Sequence, residues 1–353
     1  MQGRFGKIVV RPSEIPPDET IASRAGLARG VSAVIALTRW REWVQSKLLL
    51  AAGAAVLLAP AAPLGDVAAA LATVALLAAF GYASNELADR VSDARAGKHS
   101  RATALGVRAS TAFVVAAAGL ALGSSTAWSK GASGPVAIVG GLVLAHAYSH
   151  RPLRLKERGR IGIVAAAAAQ WMVPVLAVAA LRVDGWHEPA TWALALFGLA
   201  IGIRWMTIHQ LHDRDADRRA QLRTYGASGR DLDPWLRGAL SAEVALLVLV
   251  VVLAWPRSAV PLMAAVLWLA LDLCWRRGRA ALPARLRTYG GAPLAELYFL
   301  LLPLALTLER ALASPSFVLL AFAIGGLGSD YVVRLAFPKQ RAGDEAVRER
   351  ARA

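Results

Sequence analysis

A single cysteine, Cys274, in a chain of 353 residues excludes any intrachain disulfide. It falls inside an apolar run, where a lone thiol is a small packing residue. Acidic residues are scarce: 24 Asp and Glu stand against 40 Lys and Arg, a net charge of +16. Such an excess can mark a nucleic-acid binder. Here the basic residues lie between apolar blocks, where topology signals belong, so nucleic acid is excluded as a partner. Period-two alternation is missing, which excludes strands as the main element. The stretch MQGRFGKIVVRPSEIPPDET has no apolar core long enough for a signal peptide. Residues 1–42 therefore read as a polar cytoplasmic tail, and residues 336–353 as a charged cytoplasmic one.

What the chain has is apolar length. It is 56% hydrophobic with a mean hydropathy of +0.46, against roughly 45–50% apolar residues in a soluble domain. The excess comes in ten blocks rich in Ala, Leu and Val, at 44–61, 66–84, 107–126, 132–149, 161–181, 190–208, 237–255, 259–275, 293–309 and 316–333. Each is near the roughly 20 residues that cross a bilayer as a helix. With the N-terminus inside, 36 of the 40 Lys and Arg fall on inside segments, and only Lys130, Arg182, Arg257 and Arg310 fall outside. That bias predicts ten spans with both termini in the cytoplasm. Glu296, Glu309 and Asp330 interrupt or flank the last two blocks, so the count stands at nine to ten. The expected fold is an all-α polytopic membrane protein, a bundle of nine to ten transmembrane helices over residues 43–335. The inside loops hold nearly all the chemistry-capable residues, which places function at the cytoplasmic face.

Two of those loops match. NELADRVSDARAG (Asn85–Gly97) and HQLHDRDADRRAQ (His209–Gln221) are identical at six of 13 positions, and they follow the second and sixth blocks. Four spans separate them, so both emerge on one side, as a pseudo-repeat would. On a helix, Asn85, Asp89 and Asp93 share a face, as do His209, Asp213 and Asp217. Carboxylates four apart repel each other unless a cation lies between them. An all-oxygen set suits Mg2+, which typically takes one or two carboxylates plus substrate phosphates. The bland alternative is a solvated helix end whose acids pair with Arg90, Arg95, Arg214 and Arg218; two matching copies at membrane depth argue against it. A third feature, YSHRPLRLKERG (Tyr148–Gly159), carries a basic run around Pro152. A turn at Pro152 would bring Arg154 and Lys156 over the cavity to clamp a leaving diphosphate. Arg158 and Arg160 read as plain topology charges.

In these residues the sequence resembles the UbiA superfamily of intramembrane prenyltransferases. NELADRVSD matches its first acidic motif at Asn85, Asp89 and Asp93. Asp213 and Asp217 match the second, and Tyr148, Ser149, Pro152, Leu155 and Lys156 match its Tyr-Ser loop. Two departures stand out: Glu86 replaces a common Asp, and Arg101 is followed by Ala102 where the family has proline. The resemblance implies Mg2+ held by Asn85, Asp89, Asp93, Asp213 and Asp217, the four aspartates being catalytic together with Lys156. It implies an isoprenyl diphosphate bound by Asn85, Arg101, Tyr148, Arg154, Lys156 and His209. The implied reaction moves the isoprenyl group onto an aromatic, quinone-precursor or lipid acceptor, in a bacterial cell membrane, with diphosphate released at the cytoplasmic face. The alternative is a UbiA-type cyclase that ionises and cyclises the same diphosphate. A phospholipid-synthesising transferase needs a denser acidic pattern, and a transporter needs ionisable residues near mid-span. Trp171, Trp205 and Tyr298 are candidates to stabilise a carbocation, though single aromatics in spans are more often lipid-interface anchors. His209 could contact metal or acceptor. His212, Asp215 and Glu86 read as supporting or solvated groups.

Overall fold

The computed structural model describes residues 30–95, 100–219, 224–229, 231–275, 294–329 and 331. The tail at 336–353, Asp330 and the first 29 residues lie outside them. Every regular element among the described residues is helical. Ala and Leu favour this intrinsically, and a backbone in hydrocarbon must satisfy its own hydrogen bonds.

Each apolar block overlies a helix. In chain order they are α1 (Leu49–Leu58), α2 (Leu64–Arg95), α3 (Val107–Trp128), α4 (Ser133–Ser149), α5 (Arg160–Ala179), α6 (Pro189–His212), α7 (Arg214–Arg219), α8 (Asp233–Ala254), α9 (Val260–Trp275), α10 (Leu302–Ala313) and α11 (Phe317–Leu327). Of these, α7 is a short polar continuation of α6 rather than a block of its own. Among the described residues five helices, α2, α3, α5, α6 and α8, are long and apolar enough to cross a membrane. α5 and α6 lie innermost, whereas α3 and α8 turn Val115, Leu120, Val248 and Val252 outward. An apolar exterior of this kind faces lipid, not water.

Neighbouring helices are held by particular contacts. α5 and α6 approach closely at Gly202, where a Cβ would come within 2.8 Å of Ala167 and of the Trp171 ring. α2 and α3 share a buried hydroxyl cluster: Trp128 Nε1 donates to Thr73 Oγ1 at 2.9 Å, and Thr73 lies 2.8 Å from Ser124 Oγ. α6 and α8 are joined by a bidentate pair, Arg204 to Glu243, with both bonds at 2.7 Å. By sequence Arg204 belongs with the cytoplasmic topology charges. It is instead 4% exposed inside its helix, because Glu243 compensates it.

Two features have no counterpart in the hydropathy pattern. Residues 30–38 are helical, and a left-handed Arg39 (φ 50°) turns the chain into a short helix at Trp40–Trp43. Leu37 packs there against Ala83 of α2 and Ala102. π-turns at Val44–Leu48, Ala168–Met172 and Leu297–Leu301 interrupt the spans. Such turns push side chains out of register and recur at functional sites.

Candidate active site

α2 does not stop at the end of its apolar block. At 32 residues it runs on to Arg95, so Asn85, Asp89 and Asp93 occupy its last turns at helical spacing. Asn85 Oδ1 accepts a hydrogen bond from Ser149 Oγ at 3.0 Å. Asp89 accepts from the Lys156 ammonium, and Arg154 Nη2 lies 3.5 Å away. Glu86 points to the other side of α2. It is 5% exposed, bound by Arg101 Nη1 at 2.7 Å with Arg39 at 3.6 Å, so it is buried and paired rather than solvated. Arg101, expected as a diphosphate ligand, spends its guanidinium on that carboxylate.

The loop after α4 does fold back at Pro152. Arg154 adopts a left-handed conformation (φ 36°), and a turn at Leu155–Glu157 buries Lys156 to 5% exposure. Burial pushes the Lys156 ammonium below the usual lysine range, against the pull of Asp89. Arg154 also pairs with Glu157. Arg158 binds the carbonyls of Leu153 (2.7 Å) and Pro152 (3.3 Å). Arg160, expected to be a plain topology charge, ties two segments together. Its Nε donates to Tyr225 Oη at 3.0 Å, and its guanidinium lies over the Tyr225 and Trp235 rings.

The second motif is not one continuous helix. α6 ends at His212, Asp213 caps it (φ −86°, ψ −2°), and α7 restarts at Arg214. The spacing survives the break because the Asp217 amide still bonds the Asp213 carbonyl at 2.8 Å. His209 Nε2 lies 3.3 Å from Asp213 Oδ2. Asp217, 9% exposed, accepts from Thr224 Oγ1 at 2.8 Å. Residues 224–229 are strapped over this motif: Gln210 Oε1 accepts from the Gly226 amide (3.1 Å), and Arg214 Nε donates to the Gly226 carbonyl (3.0 Å). His212 and Asp215 are exposed, as expected.

The two motifs meet at a cavity: their first residues, Asn85 and His209, line it together with Tyr148 of α4. Among the described residues no three His, Cys, Asp or Glu side chains form a closed metal-binding group. Beside the motifs opens a cavity of about 410 Å³. Of the expected site residues, Asn85, Tyr148 and His209 line it. Part of its wall is apolar, built on Val74, Leu77 and Ala166 with Trp171 and Trp205. Trp171 and Tyr298 are buried and Trp205 half-buried, so none of the three is a lipid-interface anchor. Sequence reasoning misses three lining cations, Arg39, Arg41 and Lys47, whose charges look like topology signals. The available signal is that Lys47 falls inside the first apolar block rather than before it.

A helical bundle with an apolar exterior, and two acidic helix ends beside an interior cavity, is that of a multi-pass integral membrane protein. Over residues 48–290, more than half of its length, the chain matches the UbiA prenyltransferase family, and it belongs to that family. It is similar to a solved UbiA homologue from Archaeoglobus fulgidus bound to DMAPP and Mg2+, at 18% identity and a TM-score of 0.50, covering 86% of this chain and 97% of that one. The same homologue bound to GPP and Mg2+ gives 19% identity and a TM-score of 0.50, covering 83% and 99%. At these identities the likeness is one of fold. No curated protein matches the chain.

Proposed function

We propose that the protein transfers an isoprenyl group from an isoprenyl diphosphate to an acceptor. The observation that carries this reading is that the first residues of the two acidic motifs, Asn85 and His209, line one cavity with Tyr148, with Lys156 buried against Asp89 beside it. The archaeal homologue's complexes with DMAPP, GPP and Mg2+ support the same chemistry.

The donor set fits a magnesium ion. Asn85, Asp89, Asp93, Asp213 and Asp217 supply only oxygen, and one or two carboxylates with substrate phosphates suffice for Mg2+, so a closed triad is not required. Bound there, Mg2+ would neutralise charge on the diphosphate. The protein's own groups do the rest. Lys156 and Arg154 hold the oxygens on which negative charge grows as the allylic C–O bond breaks. Tyr148 lines the cavity and offers it a hydroxyl. Ser149 fixes the Asn85 amide. The apolar wall takes the isoprenoid tail and excludes water from the cationic carbon.

Transfer is favoured over cyclisation by Lys47: its amine lies 4.3 Å from the Trp171 ring and covers the aromatic face that a migrating carbocation would need. The positive-inside charge pattern supports diphosphate release on the cytoplasmic side of the membrane, from a domain spanning 43–335.

The test is a mass-spectrometric product screen with isoprenyl diphosphates of several lengths, with and without phenolic acceptors. Acceptor-dependent prenylated product is expected. A cyclic hydrocarbon formed from the diphosphate alone would replace transfer with cyclisation.

A further inference from the structure

One face of α2 lines the cavity along its depth. Val74, Leu77, Ala78, Gly81, Tyr82 and Asn85 reach it, at the three- and four-residue steps that share a helix face. The polar groups of that face, Tyr82 and Asn85, stand at the motif end, and the four deeper residues are apolar. From Asn85 to Val74 is 11 residues of continuous helix, roughly 16 Å at a rise of about 1.5 Å per residue.

The deep end is closed. Gly141 of α4 lines it, and a Cβ there would come within 2.8 Å of Leu77 Cδ2 and 2.9 Å of Val173 Cγ1. α2, α4 and α5 thus converge at this level and leave no room for one methyl group. Among the described residues, none of α2 before Val74, of α4 before Gly141 or of α5 after Pro174 reaches the cavity. One turn further along the same helices, Ala70, Ala137, Ile138 and Ala177 are buried in the solid core. Nearer the motifs the bore is kept open by small residues. Gly81 faces Ala145, where a Cβ would lie 3.6 Å from the alanine methyl, and Ala78 lies on the same side of α2.

These dimensions fit a particular tail. A three-bond peptide repeat extends about 3.3–3.6 Å, so a four-bond isoprene unit extends roughly 5 Å. Three units take up roughly the 16 Å between Asn85 and Val74, and a fourth needs about 20 Å and meets the closed end.

We infer that this face of α2 is a ruler that selects a farnesyl chain, three isoprene units long, with Val74 as its stop. The inference rests on the prenyl-transfer reading above and adds the chain length. It makes Val74 a specificity-determining residue. Ala78, roughly 10 Å or two units from Asn85, is the position whose small side chain lets the third unit pass.

The test measures the affinities of geranyl, farnesyl and geranylgeranyl thiodiphosphates for the purified full chain, by thermal stabilisation with and without Mg2+. The wild type should bind the farnesyl analogue at least tenfold more tightly than either neighbour, since an apolar pocket resolves even one methylene by about 10–200-fold. Val74→Ala should raise the geranylgeranyl-to-farnesyl affinity ratio at least tenfold. Ala78→Leu should raise the geranyl-to-farnesyl ratio at least tenfold, the opposite shift. A ratio taken within one variant does not depend on how much of it inserts, so each variant tests the ruler alone. Equal Mg2+-dependent affinity for the three analogues, a wild-type preference for another length, or an unshifted ratio in either variant overturns the ruler and leaves the prenyl-transfer reading standing. No Mg2+-dependent binding of any analogue would sink that reading itself, and the ruler with it.

Discussion

Lys156 and Asp89 are 67 residues apart in sequence and form an ion pair beside the cavity, with Lys156 buried. A charge clamp on the diphosphate should be worth what a positioned oxyanion donor is worth. Lys156→Met is expected to slow diphosphate release from farnesyl diphosphate by about 100-fold, and Lys156→Arg to retain part of the rate. Initial rates at saturating substrate are the check. A methionine variant at wild-type rate would remove Lys156 from the mechanism.

Thr224 reaches Asp217 from the loop over the second motif, at 2.8 Å. Outer partners of a ligand typically matter about 10–100-fold in metal affinity or activity. Thr224→Val should raise the Mg2+ concentration for half-maximal activity by that factor, and Thr224→Ser should not. Magnesium titrations of the three proteins decide it.

Arg204 and Glu243 are buried at 4% and 0% exposure. Removing one partner leaves an uncompensated charge in a low-dielectric interior, so Arg204→Met should cost about 3–5 kcal/mol of stability. Changing Glu243→Met as well should recover most of the loss. Denaturant titrations of the single and double variants measure the coupling, and additive losses would show that the pair does not act as a unit.

Glu188 ties Arg257 (2.5 Å) to Arg182 (3.1 Å) on the opposite face. The hydrogen bond from Arg257, with the charges of both arginines, holds its carboxyl below the usual carboxylate range. A depressed folded value means stability that is present above the unfolded carboxylate pKa, about 4.3, and lost as pH falls through the folded value. Melting temperatures should therefore drop on acidification below that region, less steeply in Glu188→Gln. Parallel acid limbs in the two proteins would contradict this.

The helical blocks were legible because hydrocarbon length and the positive-inside bias act along the chain, one segment at a time. The acidic repeat was legible for the same reason: Asn85, Asp89 and Asp93 are four apart on one helix. What sequence could not supply was pairing between helices. Lys47, Arg160 and Arg204 each resemble a topology charge until Tyr82, Tyr225 and Glu243 are placed beside them. Glu86 reads equally as a supporting or a solvated group until Arg101 closes over it. The helix at 30–38 is hidden by its short, weakly patterned apolar face, and the π-turns by the absence of any periodic signature.

The central claim is that the two acidic motifs act together on one diphosphate. Mg2+-dependent diphosphate release should be compared in the wild type, Asp89→Asn and Asp213→Asn, all inserted to equal levels. The account predicts that each substitution alone abolishes release at saturating Mg2+. Full release by either variant would contradict it.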